Sequence, residues 1–142
     1  MKPAPNPPCP CGTGQRYKQC CGAFHKEGGP TPPTPEALMR ARYSAYVIGR
    51  ASYIMDTTDP LGPHFEADAR KWRASILAFS RGTRFMKLDI LDHGVEPDQE
   101  RGWVRFRATM SQRGQDTSFV EHSVFRKERE RWLYAQGQEV QP

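Results

Sequence analysis

Long apolar runs are missing from this chain: no stretch of its 142 residues approaches the 18 or more apolar residues of a membrane-spanning helix. Its first residues are polar and proline-rich where a secretory signal would be apolar. These absences predict a cytoplasmic protein with no membrane partner. Cysteine is absent after position 21 and proline is sparse after position 35, since all four cysteines and nine of the thirteen prolines fall in residues 1–35. No disulfide framework can therefore span the chain, and its first quarter suits neither a helix nor an ordinary core. A strong excess of one charge sign is lacking as well. The 21 basic against 16 acidic side chains leave a net +5, which favours an acidic partner such as RNA, the ribosome or an acidic protein without requiring one. There is no internal repeat, no coiled-coil heptad, no glycine-rich phosphate loop after a strand and no assembled Ser-His-Asp set.

What is present divides in three. Residues 1–27 hold the cysteines and form a small module, residues 28–35 (Gly-Gly-Pro-Thr-Pro-Pro-Thr-Pro) are a stiff linker, and residues 36–142 form the main domain. The domain opens with Thr34-Pro35, a capping hydroxyl and a proline at the first helical position. Leu38, Met39, Tyr43, Tyr46 and Val47 then recur at helical spacing up to Gly49. A short second helix is expected over 51–56. A third, over about 66–80, carries Phe65, Ala69, Trp72, Ile76 and Phe79 in one apolar stripe. After Gly82 the period falls to two, predicting strands near 83–92, 102–112, 117–127 and 131–137. Three helices followed by about four antiparallel strands define an α+β domain, with the helices packed on one side of a curved sheet.

The cysteines follow the pattern C-x-C-x8-C-C: Cys9, Cys11, Cys20 and Cys21. Two thiolates on a knuckle, a reversing loop and two more can converge on one tetrahedral ion, with Gly12 and Gly14 supplying the positive φ that the loop needs. In a reducing compartment this reading outweighs a disulfide pair or a redox dithiol at Cys20-Cys21. Energetics points the same way. Outside the cysteines the module's sizeable apolar side chains are Tyr17 and Phe24, too few to offset the roughly 1–2 kcal/mol needed to order each residue. A structural zinc ion supplies on the order of 10–16 kcal/mol. Four sulfur ligands leave no open position on the ion, so chemistry at the metal is not expected. His25, four residues past Cys21, is expected at the surface, with replacement of one sulfur as the alternative.

The run CPCGTGQRYKQCCG resembles the SEC-C motif, a zinc motif found in the tail of the SecA translocation ATPase, where it generally ends in Cys-His. The stretch Leu38-Met39-Arg40-Ala41-Arg42-Tyr43-Ser44-Ala45-Tyr46-Val47 is similar to the opening helix of the YchJ-like family. Gly102–Ala108, Glu121–Phe125 and Trp132-Leu133-Tyr134 extend the likeness over nearly the whole chain. The resemblance implies a SEC-C motif ahead of a nuclear transport factor 2-like, or cystatin-like, cone. It also implies Cys9, Cys11, Cys20 and Cys21 as the ligands of a structural Zn2+. Many members carry a second SEC-C motif after the sheet, which these 142 residues lack, and a common Trp after the second helix is Thr58 here.

The functional expectation that follows is a zinc-stabilised adaptor or binding protein, by analogy with the SecA motif's contacts with the SecB chaperone and ribosomes. Its SEC-C motif would meet a protein or ribonucleoprotein partner through Arg16, Lys18 and Lys26. The alternatives are a small-molecule binder or enzyme using a pocket in the cone, and nucleic-acid binding through a basic surface. The pocket would involve Glu121, Tyr46, Trp72, Trp132 and Tyr134, with Glu121 either free among aromatics or paired with Arg40 or Arg42. His122 falls on the opposite strand face from Glu121, so no acid–base dyad is expected and an enzyme is disfavoured. A half-exposed curved sheet also suits a homodimer.

Overall fold

A computed structural model of the chain describes residues 6–141. Residues 1–5 of the expected module, and Pro142, lie outside the described residues. The chain begins with a 3-10 turn at Tyr17–Gln19 and a short helix α1 (Cys21–His25), followed by α2 (Pro35–Ile48), α3 (Ala51–Asp56) and α4 (Ala69–Gly82). The strands are β1 (Arg84–Val95), β2 (Arg101–Gln112), the two-residue β3 (Gln115–Asp116), β4 (Phe119–Glu128) and β5 (Arg131–Val140). They form one antiparallel sheet in the order β1-β2-β4-β5, with β3 folded back onto β2. This is the α+β arrangement read from the sequence, and among the described residues no helix is long and apolar enough to cross a membrane.

Local chemistry sets the boundaries. The Thr34 hydroxyl accepts from the Ala37 amide at 3.1 Å, Pro35 occupies the first turn, and Gly49 closes α2 in the left-handed conformation. In α4 the cap is Asp68, which accepts from the Lys71 amide at 3.1 Å, so the helix starts three residues later than its apolar stripe suggests. Phe65 stays outside the helix and meets Trp72 edge-on at 5.2 Å between ring centroids.

The sheet's concave face is built from Val104, Phe106, Ala108 and Met110 of β2, opposite Phe119, Glu121 and Ser123 of β4. Leu38, Met39 and Tyr43 of α2 close over it, and Phe125 is only 1% exposed. A register shift between Val124 and Phe125 strengthens the curl. On the convex face Trp103 and His122 stack at 5.5 Å, which places His122 away from Glu121 as the strand period requires. Asp59, in the loop after α3, takes a two-pronged ion pair from Arg126 at 2.9 and 2.8 Å and so ties that loop to β4.

Candidate metal centre and cone cavity

The knuckle is made by backbone geometry before any metal is considered. Gly12 and Gly14 have φ of 86° and 87°, a conformation that costs a side-chain-bearing residue free energy. The Cys9 amide donates to the Gln15 carbonyl at 2.9 Å and so closes the loop. The 3-10 turn and α1 then deliver Cys20 and Cys21 to the same point. All four sulfurs lie within 4.8 Å of one another, and those of Cys11 and Cys20 are 3.6 Å apart. A tetrahedral ion with metal–sulfur bonds of roughly 2.3 Å sets its ligands about 3.8 Å from each other. The donor set therefore fits one thiophilic ion, and none of the four thiols is in a disulfide.

Proton affinities in the cluster conflict. A hydrogen bond from Cys21 holds the Cys11 thiol well below its ordinary range. The same contact, together with burial, pushes Cys21 far up, and burial raises Cys20. Four sulfurs this close cannot all ionise against one another, and a bound cation removes that conflict. The Thr13 hydroxyl lies 3.1 Å from the Cys20 sulfur and the Ser44 hydroxyl 3.4 Å from that of Cys9, both suited to thiolate acceptors.

The module is laid directly on α2. Arg40 Nη1 donates to the Cys11 carbonyl at 2.8 Å, and Ser44 reaches Cys9. His25, expected at the surface, is buried and bridges inward. Its Nε2–H donates to the Ala41 carbonyl at 2.7 Å, which leaves Nδ1 to accept from the Tyr17 hydroxyl at 2.6 Å. Both ring nitrogens are thus engaged away from the sulfurs. Arg16, Lys18 and Lys26 are exposed and form no ion pair among the described residues.

On the other side of α2 the cone holds a cavity of about 370 Å³ that opens to solvent. Tyr46, Trp72, Glu121 and Tyr134 all line it; Trp132 does not. Trp132 shares a strand face with Tyr134 but sits two residues nearer the start of β5, where the proline-rich segment covers it and the Pro33 carbonyl accepts from its indole N–H at 3.2 Å. Glu121 pairs with neither Arg40 nor Arg42. Its Oε2 accepts from the Ser123 hydroxyl and, at 3.2 Å, from the Tyr134 hydroxyl. Arg40 is held by Glu36 at 3.0 Å, and Arg42 turns to the end of α3. Burial, with the nearby Glu121 carboxylate, keeps the Tyr134 phenol protonated well past its usual range. Sequence reasoning considered Arg42 only as a partner for Glu121. Its place in the cavity wall shows only once the phase of α2 is fixed from both sides.

Comparison with known proteins agrees with this geometry. Residues 6–23 match the SEC-C motif, and residues 34–137 match the family described as YchJ, middle NTF2-like domain. The UPF0225 protein SCO1677 of Streptomyces coelicolor is 41% identical over 135 residues, covering 94% of this chain and 97% of the relative. The UPF0225 protein SG1365 of Sodalis glossinidius is 37% identical, covering 95% and 85%. The solution structure of RPA3114, a SEC-C motif containing protein from Rhodopseudomonas palustris, superposes with a TM-score of 0.77 at 34% identity, over 94% of this chain and 98% of that one. Fold and site together define a SEC-C cysteine centre seated on an NTF2-like cone. The chain belongs to the UPF0225, or YchJ, family.

Proposed function

We propose that this chain is a small-molecule-binding protein whose ligand enters the cone, and that its cysteine centre holds a structural zinc ion. The cavity carries the reading: about 370 Å³ of space lined mostly by apolar and aromatic side chains, with a few polar groups converging at one place. Exposed His64 and Ser75 mark its mouth beside α4. Zinc is the ion that an all-sulfur tetrahedral set suits best, and a closed set of this kind gives it a scaffolding role. Occupancy of the cone can be tested with the amphipathic dye 1-anilinonaphthalene-8-sulfonate. The folded protein should enhance its fluorescence saturably, and Ala108→Phe, which fills the cavity from β2, should abolish the effect. No enhancement, or enhancement that Ala108→Phe leaves intact, overturns the reading.

A second reading, an adaptor in which the module meets a protein or ribonucleoprotein partner, is supported by Arg16, Lys18 and Lys26, which are exposed on the module and form no ion pair among the described residues. Affinity for such a partner would fall steeply with salt and on Lys18→Glu. Salt-independent capture counts against it.

A further inference from the structure

The cavity contains a cation and an anion that do not neutralise each other. Arg42 is 5% exposed, yet it forms no ion pair among the described residues. Its Nη1 donates to the Ile54 carbonyl at 3.1 Å and to the Thr57 and Thr58 hydroxyls at 2.8 and 3.1 Å. Its Nε and Nη2 have no acceptor among the described residues. The guanidinium lies over the ring of Tyr134, 4.5 Å from Cζ to centroid, and lines the cavity. At the edge of that same ring, the Tyr134 hydroxyl donates to Glu121 Oε2, while Glu121 Oε1 has no partner among the described residues. Tyr134 thus touches both a guanidinium with free N–H donors, over its ring face, and a carboxylate with a free acceptor, at its hydroxyl. The buried Arg42 guanidinium and the half-buried Glu121 carboxylate face one space without pairing, and a ligand that bonds their free atoms adds charge-assisted contacts that neither makes alone.

The position of Glu121 is itself built. Gly137 lies opposite Ser123 on β5, and a Cβ there would overlap the Glu121 carboxylate and the Tyr134 hydroxyl. Absence of a side chain at 137 is what lets the carboxylate lie along the sheet beside the tyrosine. The rest of the lining includes Phe79, Phe85, Phe106, Met110 and Phe119, with Phe106 paired across the strands to Glu121.

Resting on the reading of the cone as a ligand site, we infer that its ligand is a small molecule with a dipolar head and an apolar body, as in an aromatic amino acid. Its carboxylate meets the free N–H groups of Arg42, its ammonium meets Glu121 Oε1, and its ring or chain lies among the phenylalanines. Single-charge ligands fit less well. A carboxylate alone adds a second negative charge beside Glu121, and an ammonium alone adds a second positive charge beside Arg42. A zwitterion complements both and leaves the net charge of the site unchanged.

The test uses the unmodified, zinc-loaded protein and three probes with one ring and different heads, L-phenylalanine, 3-phenylpropionate and 2-phenylethylamine, with toluene as the uncharged reference. Binding is read by chemical-shift titration of backbone amides. The amino acid should bind about tenfold or more tightly than either single-charge analogue, the scale of one charge-assisted hydrogen bond. Glu121→Gln, which keeps the shape of the side chain, should erase its advantage over 3-phenylpropionate while leaving that analogue bound. Gly137→Ala should do the same by displacing the carboxylate. If toluene and all three probes bind within about threefold of one another, below half of such a contact, the dipolar head is wrong and the cone remains a binder. If no probe shifts the cavity amides and the dye is not bound either, both readings fall.

Discussion

The cysteine module and the cone order their chains by opposite means. From Asn6 to His25 the module has few apolar side chains to bury. Its shape depends on four sulfurs within 4.8 Å, two positive-φ glycines and hydrogen bonds to α2. The cone has a continuous apolar centre, from Leu38 to Phe125, closed by long antiparallel strands. In the module information is concentrated in a few residues, each indispensable to the site. In the cone it is spread over many, each contributing a part. Loss of metal should therefore undo one region and spare the other, whereas a core truncation should do the reverse.

The largest expected effect is removal of the proposed zinc ion, which would withdraw on the order of 10–16 kcal/mol of binding free energy from the module. Hydrogen exchange on the intact chain with and without a chelator should show the amides of 9–25 losing protection while those of β2 and β4 keep theirs. Equal loss in the sheet would break the comparison. Next in size, Phe125→Ala should destabilise the cone by about 3–5 kcal/mol in denaturant unfolding and leave zinc affinity, measured by competition with a chelating dye, unchanged. A large drop in affinity would mean that the two regions are one folding unit.

The Asp59–Arg126 pair is a concentrated, module-like element inside the cone, and it sharpens the contrast through pH. Arg126 holds the Asp59 carboxyl below its ordinary range. Because the folded value is the lower one, the pair's contribution is complete above about pH 3.9. It is lost as pH falls through the depressed value. Asp59→Asn should remove about 1–2 kcal/mol at neutral pH, since Arg126 is partly solvated, and flatten the acid limb of a stability–pH curve. An unaltered acid limb would assign it to other carboxylates. The smallest effect belongs to Tyr53, whose buried hydroxyl lacks a partner among the described residues and whose ring meets His25 at 4.6 Å between centroids. Tyr53→Phe should change stability by less than about 1 kcal/mol, or raise it. A larger loss would reveal a bonded hydroxyl at the seam between the regions.

This contrast also explains what could be read from the sequence. The C-x-C-x8-C-C spacing, the Thr34-Pro35 cap, the Gly49 stop and the period-two strands are local signals, and each appears where its chemistry places it. What stayed hidden depends on how separate segments meet. The seating of the module on α2 comes from Arg40, the Ala41 carbonyl and Ser44, and nothing in their helical spacing signals a contact with residues 9–25. Trp132 looked equivalent to Tyr134 because both lie on one strand face, yet the proline-rich segment covers one and the cavity faces the other. Arg42 carries no sequence signal for burial; long basic side chains are ordinarily solvated, and this one is enclosed where the Ile54 carbonyl of α3 and the two threonines that follow the helix turn toward it.

Helix α2 presents Arg40, Ala41 and Ser44 to the metal module and Met39, Arg42, Tyr43 and Tyr46 to the cavity. Each residue of a helix advances its side chain by a fixed angle of about 100°. One added residue within α2 would therefore swing every later position out of both sets of contacts at once, whereas an added residue in the Gly-Gly-Pro run ahead of it would shift neither. The helix works as a shared axle: its rotational phase is read by two surfaces, and neither can be re-timed without the other.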